Sequence, residues 1–377
     1  MSEASEISKL GMPKWGLSMT EGMVVEWLVD EGTELEGGDE VVEVESEKIN
    51  NAVETPAEGI LRRRVAEEGD VVAVGGLLGV IAPAEVPDEE IDSFVEEFQA
   101  SFDPEEAAQE AAGPQPETVE LPDGRNLQYL KVGEGGGAPL LLLHGFGGDI
   151  NIWIFNQEAL SEAPRTVYAL DMPGHGGSSK DVGAGDLQSF VDAVAGFMDS
   201  QDIGKAHVFG HSMGGAVAAS LAVEHPERVE SLAFIASAGL GDEINGDYIE
   251  GFIAANRRRQ MKNVLGLLFS DPDLVTRRLV NDELRFKRMD GVDEALRKTA
   301  DKLFPDGRQA DAPDLSGVRA PILVIWGEDD QVIPVSHSEN APQHARVEVL
   351  EKTGHMPQME ASGRTNRLIG EFLDNQD

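Results

Sequence analysis

A serine in the pattern Gly-x-Ser-x-Gly, Gly210-His211-Ser212-Met213-Gly214, is the residue of this chain best suited to covalent chemistry. The two glycines permit a sharp strand-to-helix turn that projects the Ser212 hydroxyl from the edge of a sheet. Because a free hydroxyl is a weak nucleophile, it needs a positioned base, and His355 is the candidate. A buried acid must hold the tautomer of that imidazole; Asp329 and Asp330 are adjacent candidates. These residue types predict acyl transfer through a serine.

Acyl transfer also needs donors for the oxygen that becomes negatively charged. The backbone N–H of Met213, directly after the serine, is one candidate. The loop His144-Gly145-Phe146-Gly147-Gly148 follows an apolar strand, and its glycines let backbone amides approach a substrate closely. We therefore expect an oxyanion hole made by the N–H groups of Met213 and Phe146.

A lysine between two similar halves is the second chemical feature. Lys48 lies in Glu45-Ser46-Glu47-Lys48-Ile49, where the chain is expected to turn tightly. Before Lys48 the chain contains Glu31-Gly32 and then Gly38-Asp39-Glu40-Val41-Val42. After Lys48 a similar pattern recurs at an offset of 37 residues, with Glu68-Gly69 and then Gly75-Gly76-Leu77-Leu78. Two similar half-sheets predict a small flattened all-β barrel over residues 7–82. A lone lysine near acidic residues is otherwise an ordinary surface ion pair.

The bulk properties limit the function classes. The chain has 377 residues, enough for two domains, and no cysteine, which excludes disulfides and thiolate chemistry from the protein itself. Its formal charge of −40 argues against nonspecific binding to nucleic acid or to an anionic membrane. We favour a solvated acidic surface over an acidic docking face, and the composition does not decide whether the acidity reflects salt adaptation. No metal ligands are singled out.

The remaining chain is predicted to form an α/β domain over residues 119–377. After a hairpin at its start, apolar strands are expected at 140–143, 166–170, 206–209, 231–235 and 322–326, with helical segments between them. Such continuous apolar runs are typical of a doubly wound parallel sheet covered on both faces. A helix-rich stretch, about 241–318, is predicted to be an inserted cap. We expect His337 and His344 at the surface.

Residues 84–118 are predicted to be an acidic linker. From Ala84 to Pro116 there are eleven acidic residues and no Lys or Arg. An amphipathic helix is possible within it, capped by Asp88, because apolar residues recur at helical spacing: Ile91, Phe94, Val95, Phe98 and Phe102. We favour packing of this stripe against the α/β domain over a contact with a partner.

Two family resemblances follow from these motifs. Residues 119–377 resemble the α/β-hydrolase superfamily, including the loop from Asp171 to Ser178. The resemblance favours Asp330 over Asp329 as the acid, because the family usually has Gly-x-x-Asp here. The N-terminal domain, 1–83, resembles lipoyl domains, which implies lipoate attached to Lys48. A biotinyl domain is the alternative, but its lysine lies between methionines, whereas Glu47 and Ile49 flank Lys48.

The pairing resembles the dihydrolipoyllysine acetyltransferase component of the acetoin dehydrogenase complex. The resemblance implies that an acetyl group moves from S-acetyl-dihydrolipoyl-Lys48 to coenzyme A as co-substrate, through an acyl-serine on Ser212. It also implies two partners, a thiamine-diphosphate-dependent acetoin-cleaving component and a dihydrolipoamide dehydrogenase. We expect a cytoplasmic homo-oligomer without nucleic-acid or membrane binding.

Two other functions stay open at this point. The first is a lipoyl-tethered serine hydrolase or thioesterase, acting on an ester, a thioester or a carbon–carbon bond. The second is a lipoyl carrier scaffold whose hydrolase fold is catalytically idle. The chain also lacks the His-x-x-x-Asp-Gly motif of the acyltransferases of 2-oxo-acid dehydrogenases.

Overall fold

A computed structural model describes residues 7–15, 19–45, 50–104, 107, 114–162, 165–310 and 312–375. The chain divides into two compact units, here called the β unit (Met1–Gly113) and the α/β unit (Pro114–Asp377). The division falls within the stretch that the sequence predicts to be a linker.

Two four-stranded antiparallel sheets build the β unit. The first has the order β1-β8-β6-β3 and the second the order β5-β4-β2-β7. The strands, in chain order, are β1 (Ser8–Gly11), β2 (Glu21–Trp27), β3 (Glu34–Leu35), β4 (Glu40–Glu45), β5 (Asn50–Glu54), β6 (Gly59–Arg64), β7 (Val71–Ala73) and β8 (Leu77–Ala82). The side chains that meet between the strands are apolar and almost fully buried; they include Met12, Met19, Val24, Leu61 and Leu78.

The internal repeat of the sequence corresponds to the topology of these sheets. Shifting β2, β3 and β4 by 37 residues superposes their positions on β6, β7 and β8. In the two sheet orders the equivalent strands occupy equivalent places, so that β8-β6 in one sheet matches β4-β2 in the other. The predicted barrel of two similar halves is confirmed.

A helix, α1 (Asp88–Ser101), completes the β unit. Its apolar stripe packs on β6 and β8, where Ile91, Phe94 and Phe98 meet Leu77 and Val80. The expected amphipathic helix therefore exists, but the expectation that its stripe covers the α/β domain is wrong. The apolar outer face of β8 is the nearer partner in sequence, and the stripe packs there.

The expected cap of α1 is also wrong. Pro87 occupies the N-cap position without a side-chain hydrogen bond, and Asp88 is the first helical residue. Instead of capping, the Asp88 carboxylate pairs with Arg62 at 2.7 Å, and Asp92 pairs with Arg63 at 2.7 Å. Both arginines belong to β6, so charge as well as apolar contact joins the helix to the sheet.

An eight-stranded sheet forms the centre of the α/β unit, in the order β16-β15-β14-β13-β11-β12-β10-β9. From β12 through β11 to β16 neighbouring strands are parallel, whereas β10 is antiparallel to β12 and to β9. The strands are β9 (Glu117–Glu120), β10 (Asn126–Val132), β11 (Leu140–Leu143), β12 (Val167–Leu170), β13 (Ala206–His211), β14 (Val229–Ile235), β15 (Ile322–Gly327) and β16 (Arg346–Leu350). The middle strands β11, β12, β13 and β15 are buried along their whole length, as expected for a sheet covered on both faces.

Helices connect these strands. They are α2 (Gln157–Ser161), α3 (Leu187–Ser200), α4 (Met213–Glu224), α5 (Gly246–Ala254), α6 (Arg258–Leu265), α7 (Arg277–Phe286), α8 (Val292–Leu303), α9 (Pro357–Glu360) and α10 (Ser362–Asp374). Four of them, α5 to α8, lie between β14 and β15, in the stretch where the sequence predicts a cap. The doubly wound α/β fold with a helical insertion is confirmed.

Across the described ranges, we find no helix with the length and apolar character needed to cross a membrane.

Candidate functional site

Ser212 lies between β13 and α4 in a backbone conformation that few L-residues adopt. Its φ is 53° and its ψ is −122°. The turn is possible because its flanks are glycines: a Cβ at Gly210 would lie 2.3 Å from the Gly214 carbonyl carbon. The strained turn puts the side chain at the carboxyl edge of the sheet, the geometry of a nucleophile elbow.

His355 and Asp330 meet in the loops that follow β16 and β15. His355 Nδ1 lies 2.8 Å from Asp330 Oδ2, and the two side chains are 1% and 0% exposed. The other oxygen, Asp330 Oδ1, accepts the backbone N–H groups of Val332 and Ile333 at 2.8 and 2.9 Å. The carboxylate therefore fixes Nδ1–H as the donor and turns Nε2 away from itself. Within the described chain, Nε2 is buried and has no hydrogen-bond partner.

The backbone of His355 is held from several sides. His355 N donates to Leu268 O at 2.8 Å, and His211 Nε2 donates to His355 O at 2.8 Å. Since His211 directly precedes Ser212, this bond joins the serine turn to the histidine loop. The rings of His211 and His355 have centroids 4.8 Å apart.

Glu360, in α9, is a partly buried carboxylate that the sequence pattern did not single out. Its Oε1 accepts Gly354 N at 2.9 Å and Met356 N at 3.2 Å, and its Oε2 accepts Ser270 N at 2.7 Å. Burial raises the pKa of the Glu360 carboxyl, and these backbone donors partly offset that effect. The side chain thus ties both neighbours of His355 to the loop at Ser270. Sequence reasoning missed it because no pattern after His355 shows that this acidic side chain reaches Ser270, 90 residues earlier in the chain.

The glycine-rich loop after β11 lies directly against the serine. A Cβ at Gly145 would lie 2.7 Å from Ser212 Cβ and 3.2 Å from Ser212 Oγ. Phe146 is 4% exposed, and its carbonyl accepts Tyr248 Oη at 3.2 Å. Met213 is the first residue of α4, so its N–H has no partner in the preceding helical turn. The loop and the helix start are therefore close to Ser212, as an oxyanion hole requires.

Uncharged histidines surround this loop. His144 Nδ1 donates to Gly145 O at 2.7 Å, while its Nε2 accepts Met172 N at 2.9 Å. Burial lowers the pKa of His144 to about 4 and that of His175 to about 3. Both rings are therefore neutral near pH 7, and they add no positive charge beside the serine.

Asp171 accepts hydrogen bonds from two segments in the same region. Its Oδ1 accepts Ile150 N at 2.8 Å, and its Oδ2 accepts Gly177 N at 2.7 Å. Burial, followed by the Asp149 carboxylate, raises the pKa of Asp171 to about 7. The side chain joins the segment after the glycine-rich loop to the predicted Asp171–Ser178 loop.

Aromatic residues of the cap cover the glycine-rich loop. The Phe146 ring has Phe252 and Phe304 at centroid distances of 6.1 and 6.0 Å, and Phe286 stacks on His175 at 6.3 Å. A Cβ at Gly147 would lie 2.7 Å from the Phe252 ring. The cap therefore contributes an apolar wall above the site.

The other predicted positions differ in outcome. Lys48 and the rest of the segment 46–49 lie outside the described residues. The strands that flank them, β4 and β5, pair antiparallel with Glu45 opposite Asn50. His344 is exposed, as expected, but His337 is buried, which makes its expected surface position wrong. Its ring lies under Gly241, where a Cβ would be 2.6 Å from it.

Comparison with known families agrees with both units. Residues 138–362 match the model of the alpha/beta hydrolase fold, and residues 8–81 match the model described as biotin-requiring enzyme. The dihydrolipoyllysine-residue acetyltransferase component of the acetoin cleaving system of Pseudomonas putida is 49% identical over 371 residues, covering 98% of this chain and 99% of the relative. The chain belongs to this acetyltransferase-component family.

Further relatives support that membership. The protein with the same description from Cupriavidus necator is 47% identical over 376 residues, again covering 98% of this chain and 99% of the relative. Among solved structures, a meta-cleavage product hydrolase from Pseudomonas fluorescens has a TM-score of 0.63 and 28% identity, covering 69% of this chain and 98% of the hydrolase. This chain therefore combines a lipoyl-type domain with an α/β-hydrolase fold, as predicted.

Proposed function

We propose that this chain transfers an acetyl group from a thioester on the lipoyl arm of Lys48 to coenzyme A through an acyl-serine on Ser212. One observation carries the proposal: a histidine–carboxylate pair, His355–Asp330, lies beside a serine elbow in a chain that also has a lipoyl-type domain. A serine elbow accepts acyl groups, and a lipoyl domain carries them. The full-length acetyltransferase relatives favour the same reaction.

In the first half-reaction, Ser212 Oγ attacks the carbonyl carbon of the thioester. His355 Nε2 takes the hydroxyl proton as the oxygen–carbon bond forms. Asp330 holds Nδ1–H and stabilises the imidazolium. The N–H groups of Phe146 and Met213 hold the oxyanion. The carbon–sulfur bond then breaks, and His355 returns the proton to the leaving thiolate.

In the second half-reaction, His355 takes the proton of the coenzyme A thiol. The thiolate attacks the acyl-serine, a carbon–sulfur bond forms as the ester carbon–oxygen bond to Ser212 breaks, and the proton returns to Ser212 Oγ. Water must be excluded, because its attack would release acetate. The aromatic wall of the cap, with Phe252, Phe286 and Phe304, is suited to this exclusion.

The fold of the β unit fits lipoate on Lys48. Residues 46–49 connect two strands that pair up to Glu45 and Asn50, so the lysine belongs to a hairpin connection. Attached lipoate would supply a dithiol that holds an acyl group as a thioester. The contribution of the chain is the position of Lys48, which lies between the two similar halves of the β unit's sequence.

The reaction implies partners that load and reoxidise the arm. We propose a thiamine-diphosphate-dependent acetoin-cleaving component and a dihydrolipoamide dehydrogenase, in a cytoplasmic assembly with several copies of this chain. Its charge of −40 fits an absence of nucleic-acid binding.

The test uses free S-acetyl-dihydrolipoamide with the full-length protein, with and without coenzyme A. Acetyl-CoA and free acetate are measured separately, and Ser212→Ala is compared with the exposed control Ser93→Ala. We expect acetyl-CoA formation that depends on Ser212. Acetate as the main product, formed at the same rate without coenzyme A, would contradict the proposal.

A lipoyl-tethered serine hydrolase is the second candidate. The observation in its favour is the meta-cleavage product hydrolase of known structure, which is 28% identical over 98% of its own length. That enzyme shows that the fold of the α/β unit supports hydrolysis, so the acetate outcome of the same assay would favour this candidate.

A further inference from the structure

Positive charge is concentrated in one part of the cap. Residues 256–288 contain nine Lys or Arg and four Asp or Glu, although the whole chain has 30 basic and 70 acidic residues. This stretch includes α6 and α7, which contact each other. A cationic region in so acidic a protein creates a local positive potential that attracts anions.

Two adjacent cavities lie in this region. The first, of about 400 Å³, is lined by four arginines and two asparagines: Arg257, Arg258, Arg285, Arg288, Asn256 and Asn281. The second, of about 610 Å³, shares Arg258 and Asn281 and adds two apolar side chains, Val275 and Val280, together with four basic or polar ones, Arg259, Lys262, Asn263 and Arg277. Arg258 Nε donates to Asn281 Oδ1 at 2.9 Å. The bond fixes the guanidinium at the junction of the two cavities.

The arginines of the first cavity lack acidic partners. Within the ranges that the structure describes, none of the four forms an ion pair. Elsewhere in the chain Arg62, Arg228 and Arg346 each pair with a carboxylate at 2.7 to 3.1 Å. Because acidic residues are abundant, convergent arginines without such partners indicate a site for an external anion.

The cavities are connected to the candidate active site through two elements of the cap. In α5, Phe252 contacts Phe146, and Asn256 of the first cavity follows four residues later. In α7, Phe286 stacks on His175, and its neighbour Arg285 lines the cavity. Asn256 lies two residues beyond the end of α5, and four residues of chain span at most about 14 Å. The cavity therefore lies near the aromatic wall, at a reach that suits a long ligand with its reactive end at Ser212.

We propose that these two cavities bind the phosphorylated nucleotide end of the acceptor, coenzyme A. The arginine cavity takes the phosphates, since a guanidinium donates bidentately to phosphate oxygens. The cavity with Val275 and Val280 takes the adenine, which stacks on guanidinium planes and apolar side chains. This inference rests on the proposed acetyl transfer to coenzyme A and names the residues that select the acceptor.

The binding test does not depend on activity. Adenosine 3′,5′-bisphosphate is titrated into the full-length protein by calorimetry, with adenosine 5′-monophosphate and inorganic pyrophosphate as comparison ligands. We expect saturable binding that weakens at least tenfold in Arg258→Gln/Arg285→Gln and weakens with added salt. The control is Arg364→Gln, an exposed arginine in α10, which should bind like the original protein. Circular dichroism checks the fold of each variant, and Arg288→Gln gives a second, milder substitution.

Several results would overturn the site. They are absence of nucleotide binding by the original protein, equal binding by the double variant when it is folded, or equal affinity for pyrophosphate and for the nucleotide. The last result would remove the role of the adenine cavity.

A kinetic comparison separates this site from the proposed function. In the transfer assay, the double variant should raise KM for coenzyme A at least tenfold and leave kcat unchanged. With pantetheine, which lacks the nucleotide, KM should be the same for both proteins. Transfer with an unchanged KM would disprove the site and keep the function. Arginine-dependent nucleotide binding without any transfer would keep the site and disprove the function.

Discussion

In the β unit, the proposed lipoylation site, Lys48, comes between two strands that pair directly with each other, β4 and β5. In the α/β unit, Ser212, Asp330 and His355 follow three different strands, and the loop at Phe146 follows a fourth. The proposed role of Lys48 needs only a connection between paired strands, because an attached lipoyl group would carry the acyl chemistry. The arrangement at Ser212 needs a complete parallel sheet, because the side chains themselves must meet within hydrogen-bond distance.

The two units also differ in how many polar side chains they bury. All eight histidines of the chain lie in the α/β unit, and several are buried without charge near Ser212. The described core of the β unit is built from apolar side chains. Presenting one lysine requires only a stable scaffold, whereas acyl transfer requires a buried network of donors and acceptors.

The largest expected effect on the transfer rate comes from comparing one variant of each unit. Lys48→Arg should abolish transfer in the assembled complex and leave the rate with free S-acetyl-dihydrolipoamide within about twofold, since arginine keeps the charge but cannot be lipoylated. Ser212→Ala should lower the rate with the free substrate by about 10⁴-fold or more. Both rates are measured as acetyl-CoA formation. Loss of the free-substrate rate in Lys48→Arg would show that the two units do not act separately.

Next in size is the substitution of the acid. Asp330→Asn should lower the transfer rate by about 10⁴-fold, because an amide stabilises the wrong tautomer of His355. The exposed neighbour provides the control, and Asp329→Asn should keep the rate within about twofold. The rates are measured with the free substrate. Equal effects of the two substitutions would contradict the assignment of Asp330.

A stability effect confined to the β unit should follow from Ile91→Ala. Ile91 is 0% exposed between α1 and the sheet, and truncating such a side chain costs about 3 kcal/mol. Hydrogen exchange of β8 amides should accelerate, with transfer from free substrate unchanged. Ser93→Ala, on the exposed face of α1, is the control. Unchanged exchange in Ile91→Ala would mean that α1 does not stabilise this unit.

A pH effect confined to the α/β unit is expected from His175. Its pKa is about 3 in the folded protein against 6.5 as the ordinary value. The unfolded chain therefore binds the proton first, and stability is lost as pH falls below 6.5, by about 1.4 kcal/mol per pH unit. His175→Phe should reduce that slope of the unfolding free energy between pH 6.5 and 5. The exposed control His344→Phe should not.

Asp171 acts in the opposite direction over this interval. Its pKa of about 7 lies above the ordinary 3.8, so the folded protein binds its proton first and gains stability as pH falls from 7. The contribution of His175 is therefore measured as the difference between His175→Phe and the original protein in the slope of the unfolding free energy against pH. An identical slope in both would disprove a neutral, buried His175.

The smallest expected effect is that of Glu360→Gln. An amide must turn its NH₂ group towards a backbone N–H of Ser270, Gly354 or Met356, which loosens the His355 loop. We expect kcat to fall about tenfold with KM unchanged, since small misplacements of a base cost about this much or more. The control is the exposed Glu351→Gln. A change in KM alone would point to substrate binding instead of positioning.

Local patterns predicted much of this architecture. The apolar run at Leu140–Leu143 has the predicted bounds, because buried parallel strands need continuous apolar residues. The helix over Ile91 to Phe98 was predictable from its spacing. The partner of its stripe was not, since an amphipathic pattern specifies that a face is buried but not the surface that buries it.

The sequence by itself determined the two folds, the family and the candidate residues Ser212, His355 and Lys48, because glycine spacing, apolar periodicity and an internal repeat are local properties. The family resemblance already favoured Asp330 over Asp329, and the tertiary structure shows the contact itself, with Asp330 Oδ2 2.8 Å from His355 Nδ1. Only the tertiary structure decided that Glu360 joins the loops at Ser270 and Gly354, and that arginines from α6 and α7 converge on one cavity. These relations connect residues far apart in the chain, so they depend on how strands and helices pack and not on any pattern within one segment.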